Sequence, residues 1–410
     1  MEYELDGAAQ RRLTDYLEAI GSRLRDKRKR ASFAMYAFGI LGEGDRKSAE
    51  PIAARACGDP SLADAYHARV LHFLSDAEWD DRGVRLEAAR HGISGMSEQA
   101  GEPPKVWIVD DTGLLKQGKH SVGVQRQYTG SAGKVANCQI AVSLSVATRE
   151  EQLPIDMELY LPESWTSDLD RRKRAHIPES VTFKTKVALA LDMIERACLS
   201  NVPGEIVLAD SAYGDSSAFR AGLQLYHLDY AVGVHSPTKV FPLDPRGRRS
   251  RDAIGVAELA RRLGPSAFRR TTWRESTSGR KLSARFCFRR VKVMHDDGSP
   301  LEEREPVWLV MEWRDHEPAP SMYYLTTLPR RMSKKEIVRI IKERWRTERA
   351  YEELKGELGF DHFEGRSYRG WHHHVSVVLA CYAFVVAERV RRFSPSTSTT
   401  STNHSKRRAA

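Results

Sequence analysis

Apolar and polar positions change period three times along the chain. Over the first hundred residues apolar side chains recur at helical spacing, as at Leu13, Tyr16, Leu17 and Ile20 ahead of the basic run at 23–30. The same spacing predicts helices over 31–41, 48–56, 63–74 and 80–91. The period then shortens. Residues 106–109 carry no polar break, as in a strand buried on both faces, and that strand is expected to end at the adjacent carboxylates Asp110 and Asp111, followed by Thr112 and Gly113. Residues 137–148 alternate as a strand does and 153–162 follow as another, which predicts an antiparallel meander. An amphipathic helix over 182–198 precedes a second short apolar strand, 205–210, that again ends in an aspartate, Asp210. A helix after Ser211 and a strand at 229–234 complete the run.

Three strands, helix, strand, helix, strand is the order of a mixed α/β sheet of the ribonuclease H-like kind. In such a sheet the ends of neighbouring strands bring remote carboxylates together. Successive strand side chains face opposite ways, so only one of Asp110 and Asp111 can enter a given site, and either could instead cap the turn. From 236 to 331 the pattern is lost. A Pro- and Arg-rich stretch at 241–252 leads into strand-like segments at 281–294, 305–315 and 321–329, with a turn signal at 296–299. This reads as a β-rich insertion in which Trp308, Trp313, Tyr323 and Tyr324 pack against their own strands.

A capping box at Ser333 and Glu336 then opens a helix expected to run unbroken to Gly359. On it Arg344, Glu348, Tyr351 and Lys355 share one stripe. A surface ion-pair ladder would look similar, but Ile337 and Ile341 continue the stripe, so the face is expected to pack on the sheet. His372, His373 and His374 diverge by about 100° each on a helix and cannot all face one ion; they are expected to begin a core helix over 375–390. The resulting organisation is a helical, DNA-binding domain at 1–100, the first part of the core at 101–235, the insertion at 236–331, the rest of the core with C-terminal helices at 332–392, and a low-complexity, disordered tail at 393–410.

Charge and composition narrow the partners. A net charge of +10 suits a polyanion. The five cysteines are scattered without paired spacing, and neither an 18-residue apolar run nor a secretory signal is present, which predicts a soluble cytoplasmic protein with no membrane partner. The basic, glycine-rich segment 116–134, with Lys116, Lys119, Lys134 and Tyr128, can cradle phosphates or form a long hairpin loop.

Taken together, Asp-Asp-Thr-Gly at 110–113, Leu-Ala-Asp ending at Asp210, and the helix 344–355 resemble the DDE insertion-sequence transposases, specifically the bacterial group whose third acid lies in a Tyr-x2-Arg-x3-Glu-x6-Lys helix. The resemblance spans 105–375. Arg344, Glu348 and Lys355 take the last three positions; the Tyr position falls on Ile341, a departure that Tyr351 could make good from the same stripe. The family's first acid is followed by Thr, which favours Asp111 over the alternative Asp110, and its Asp-x4-Asp pattern falls on Asp210 and Asp215. The resemblance implies a DNA transposase that cleaves element ends and transfers strands, using two Mg²⁺ or Mn²⁺ ions held by Asp111, Asp210 and Glu348. It further implies DNA contacts from Arg344, Lys355 and Tyr351; beside the resemblance, Lys116, Lys119 and Lys134 of the basic segment and Arg366 and Arg369 after the helix are further candidates. Terminal inverted repeats, target DNA and a homodimer on DNA are the implied partners. A nuclease that does not join strands, or a catalytically silent DNA-binding descendant, are the alternatives.

Overall fold

The computed structural model describes residues 7–276, 279–294 and 304–393, so the turn expected at 296–299 and the tail after 393 lie outside the described residues. Five helices open the chain: α1 (Gly7–Gly21), α2 (Lys27–Leu41), α3 (Ala49–Ala56), α4 (Ala63–Leu71) and α5 (Asp81–Ala100). Asp26 starts α2 by accepting from the amides of Arg28 and Lys29. Helix α5 outlasts its expected end at His91 because Ala88, Ala89, Ile93 and Met96 keep burying apolar surface; it stops at Gly101, whose φ of 73° needs no strain in glycine.

The sheet follows. Strand β1 (Val106–Leu115) pairs antiparallel with β3 (Lys134–Ala147), which pairs with β4 (Gln152–Tyr160), while β2 (Gln125–Thr129) forms a hairpin with β3 at the sheet margin. Two short helices, α6 (Glu163–Thr166) and α7 (Leu169–Arg174), precede the crossover helix α8 (Lys186–Leu199). On the other side of β1 lie β5 (Ile206–Ala209) and, after α9 (Ser211–Gly214) and α10 (Ser217–Leu225), β6 (Asp229–Val234), both parallel to it. The order β4-β3-β1-β5-β6, with the first two antiparallel to their neighbours and the last two parallel to β1, is that of a ribonuclease H-like mixed sheet.

The insertion extends this sheet rather than standing apart. After β7 (Lys239–Pro242), β8 (Ile254–Gly255) and α11 (Val256–Leu263) come β9 (Arg269–Glu275), β10 (Lys281–Val293), β11 (Val307–Trp313) and β12 (Met322–Thr326). Strand β12 pairs with β6, so the described strands form one twelve-stranded sheet. The last helices are α12 (Lys334–Lys342), α13 (Arg346–Gly356) and α14 (Tyr368–Phe393). Helix α14 is apolar and long enough to cross a bilayer, but 89% of its apolar window is buried in protein, where Tyr16 donates to the Ala380 carbonyl at 2.6 Å. Its three histidines diverge as helical geometry requires: His372 meets Glu158, His373 stacks on Trp79 at 3.9 Å, and His374 meets Tyr36 at 2.9 Å.

The two sheet faces bury different sets. Trp107 and Val109 join the large core that includes Met193 and Ile194 of α8. Ile108, Leu208 and Ala231 face the other way and pack with Ile337 and Ile341 of α12.

Candidate active site

Register decides which carboxylates meet. Strands β1 and β5 pair Ile108 with Leu208, and both side chains lie in the cluster under α12. Two residues further on, strand alternation returns Asp110 and Asp210 to that face at the same level. Asp210 is still extended (φ −82°, ψ −173°) and caps α9 by accepting from the Ala212 amide at 2.9 Å. Asp111 falls on the opposite face. Its carboxylate pairs with Lys186, the first residue of α8, at 3.0 Å and accepts from the Tyr213 hydroxyl at 3.1 Å. The geometry therefore favours the alternative first acid, Asp110, over the expected Asp111. Nor does β1 end at the acids: it continues along β3 to Leu115, and only its pairing with β5 stops, at Ile108, which opens that side beside Asp110.

The helix expected to run unbroken from 333 to 359 is interrupted by a tight turn at Glu343–Trp345. Glu343 is held there between Arg339 at 3.0 Å and Arg346 at 2.8 Å. Lys342 is anchored on the buried Glu312 of β11, which also accepts from the Tyr324 hydroxyl. The turn aims Arg344 at Asp110, with Nη1 2.6 Å from Oδ2. Helix α13 then lies over the Asp110 face. Tyr351 is buried, its hydroxyl 2.5 Å from Ser143, the register partner of Asp110. Lys355 donates to Thr112 at 2.8 Å, to the Gly113 carbonyl at 2.9 Å and to Ser131 at 3.0 Å. Glu348 is exposed and, among the described residues, makes no hydrogen bond or ion pair. The three acids do not close on one point; what they share is the field of one guanidinium.

Burial and that field compete at Asp110. Burial pushes the Asp110 carboxyl up to about 7; Arg344 opposes this and the nearby charge of Asp210 adds to it. Burial works against the charge of Arg344, but the carboxylates of Asp110, Asp210 and Glu348 outweigh it and hold the guanidinium charged. A buried carboxylate and a half-buried one that share one cation offer the oxygen donors a hard divalent ion prefers. Among the described residues no three His, Cys, Asp or Glu side chains converge closely enough to hold an ion: Asp110 is paired with Arg344 and Glu348 is exposed.

Several cations expected at DNA hold the chain together instead. Lys116 donates to the carbonyls of Phe363 at 2.7 Å and Asp361 at 3.2 Å. Arg369 donates to the Asp76 carbonyl and to Glu78. Lys355 and Tyr351 are engaged as described above. Lys119, Lys134 and Arg366 are exposed. Sequence reasoning missed Lys186, Ser131 and Tyr213. The repetition noted in the sequence, apolar tetrads at 106–109 and 206–209 each followed by an aspartate, also points to Asp110 as the counterpart of Asp210.

A family model described as DDE superfamily endonuclease matches residues 19–280. The chain belongs to this family. The matched stretch of this DDE superfamily member includes Asp110, Asp111 and Asp210 and ends before Arg344, Glu348 and Lys355. It is also similar to a probable transposase for insertion sequence element IS701 from Microchaete diplosiphon, 30% identical over 169 residues, which are 40% of this chain and 40% of that relative's length. Among solved structures, the cryo-EM structure of the piggyBac transposase synaptic complex with hairpin DNA aligns over 89% of this chain and 66% of that one, at 12% identity and a TM-score of 0.39.

Proposed function

We propose that this endonuclease is a DNA transposase that cuts the ends of its element and joins them to target DNA, with Asp110, Asp210 and Glu348 as its metal-holding acids. The observation that carries this reading is that Asp110 and Asp210 each follow by two residues the paired Ile108 and Leu208, and that Arg344, from the turn leading into the helix bearing Glu348, pairs with Asp110. Divalent ions, when bound, would activate the attacking oxygen and neutralise the leaving one in phosphodiester cleavage and joining.

The chain's own residues do the rest. Asp110 sits where water is scarce, so its charge is poorly screened and seeks a cation. Arg344 supplies one without DNA; on DNA its planar fork suits a phosphate, and exchange from Asp110 to phosphate frees the carboxylate. Lys355, fixed to Thr112 and Ser131, steadies the tip of the β2–β3 hairpin beside the site. The exposed Lys119, Lys134 and Arg366 offer a surface for the DNA backbone, and the exposed Arg25, Lys27 and Arg28 at the start of α2 offer a second. Terminal inverted repeats and target DNA are the proposed substrates, held by a homodimer.

The test is cleavage and joining of a duplex that carries the inverted repeat bracketing the gene. Asp210→Asn and Glu348→Gln are expected to lose Mg²⁺-dependent cleavage while still binding the duplex. Full cleavage by Glu348→Gln would remove that residue from the acid set. Cleavage without joined product in the wild type would reduce the protein to a nuclease.

A further inference from the structure

Three adjacent parallel strands carry polar side chains to the same edge. β1 offers Asp110, β5 leads into Asp210, and β6 leads into His235, the residue after Val234. Pairing of Ala209 with Val232 sets Gly233 beside Asp210. A side chain at 233 would be tight, because its Cβ would stand 3.1 Å from the Ser211 amide nitrogen and 3.3 Å from the Asp210 carbonyl carbon. The turn after Asp210 is thus pressed against β6, and position 235 lies next to it.

His235 is held at both ring nitrogens although its side chain is 62% exposed. Nδ1 meets the carboxylate of Asp215, which also accepts from the His235 amide at 3.1 Å and from the Thr238 hydroxyl at 2.9 Å. Nε2 lies 3.2 Å from the hydroxyl of Ser211, the residue that follows Asp210. An imidazole fixed this firmly on a surface is not packing a core. The ring contributes little buried area there, so the order it carries points to a ligand that uses it.

Resting on the transposase reading above, we infer that Ser211 and His235 form a phosphate-binding pair for the strand being cut, with Asp215 as the positioning residue that fixes the ring. The ligand is a non-bridging oxygen of a phosphodiester. It accepts from the Ser211 hydroxyl and, when the ring carries both protons, from Nε2–H of His235. The pair stands in the row of the acids, one strand beyond Asp210, which places it along the path of the strand whose phosphate the acids address. The second aspartate of the Asp-x4-Asp pattern then acts by orienting His235 rather than by holding an ion.

A fluorescent duplex bearing the terminal repeat, with either a natural phosphodiester or a neutral methylphosphonate where repeat joins flank, tests the pair through binding alone. Wild-type protein is expected to bind the methylphosphonate duplex about tenfold more weakly or worse, the effect of weakening its hydrogen bonds to a charged group. In His235→Phe, which keeps a ring but no nitrogen, that difference should shrink by about threefold or more, the remainder belonging to Ser211 and Arg344. Ser211→Ala, the milder change, should reduce it in the same direction and decides the matter if the first variant does not fold; Asp215→Asn should act likewise. A full methylphosphonate penalty in these variants, or none in the wild type, overturns the inference and leaves the acid set standing. Failure of the wild type to bind either duplex overturns the transposase reading as well.

Discussion

Two clusters of buried charge, on different parts of the same sheet, are built to opposite specifications. At the β4 edge, Glu158 and Asp156 are met by Arg82 at 2.9 Å, Arg85 at 3.2 Å, Arg196 at 2.6 and 2.8 Å, and His372 at 3.2 Å. Burial alone would push Glu158 up, yet His372 and the arginines hold its carboxyl well below the usual carboxylate range. At the centre of the sheet Asp110 has one cation, Arg344, and a second acid, Asp210, near enough for its charge to act on it. There burial wins, and the carboxyl titrates at about 7. An acid surrounded by spare cations is a fastener. An acid left short of positive charge in a buried place is, on the function proposed above, where a further cation would sit.

The contrast can be broken first through stability. Glu158→Ala should destabilise the fold by about 3–5 kcal/mol, because His372 would lose its buried carboxylate and Arg196 would keep only Asp156 of its two acids. Asp110→Asn removes a charge the fold resists and should change stability by no more than about 1 kcal/mol. Urea unfolding of both variants checks this; equal losses would erase the distinction between fastener and seat.

Acid sharpens the comparison further. Glu158 packs on helix α14, which carries two histidines that burial keeps neutral, His373 at about 4 and His374 below its ordinary value for the same reason. Their folded pKa values lie under the unfolded value, so the unfolded chain binds more protons between these limits and stability falls as pH drops from about 6.5 towards 4. The loss attributable to His373 is about 3 kcal/mol over that window. Tryptophan fluorescence reports it through Trp79, on which His373 stacks, and His373→Gln should flatten that part of the profile.

The smallest expected effects separate fastening lysines from DNA-facing ones. Lys355→Ala should cost about 1–2 kcal/mol of stability through the hydroxyls and carbonyl it leaves behind, with little change in the salt dependence of DNA binding. Lys134→Ala should leave stability untouched and lower the salt slope by about 0.9. A reduced slope for Lys355→Ala would return it to the DNA interface.

The ribonuclease H-like order of strands and helices was legible because strand and helix periods differ and each crossover lies between sequential strands. Asp210 was legible as the end of a short apolar strand, and Ser333 as a cap, since both are local signals. The choice between Asp110 and Asp111 was not local. It depends on which residues of β1 pair with β5, and the rule that the acid precedes Thr points to the other neighbour. The break at Glu343–Trp345 was hidden because its residues favour helix, and only the pull of Asp110 on Arg344 and of Glu312 on Lys342 rewards bending. Lys116 and Lys355 read as phosphate ligands because their partners are backbone carbonyls and hydroxyls remote in sequence, which leave no trace in charge patterning.

The most direct test sets the two neighbouring aspartates against each other. Mg²⁺-dependent cleavage of the terminal-repeat duplex is measured for Asp110→Asn and Asp111→Asn, each with its unfolding midpoint. Loss of cleavage in Asp110→Asn with a folded protein, and retention in Asp111→Asn within about tenfold, is the predicted result. Cleavage that survives Asp110→Asn and vanishes in a folded Asp111→Asn would contradict it.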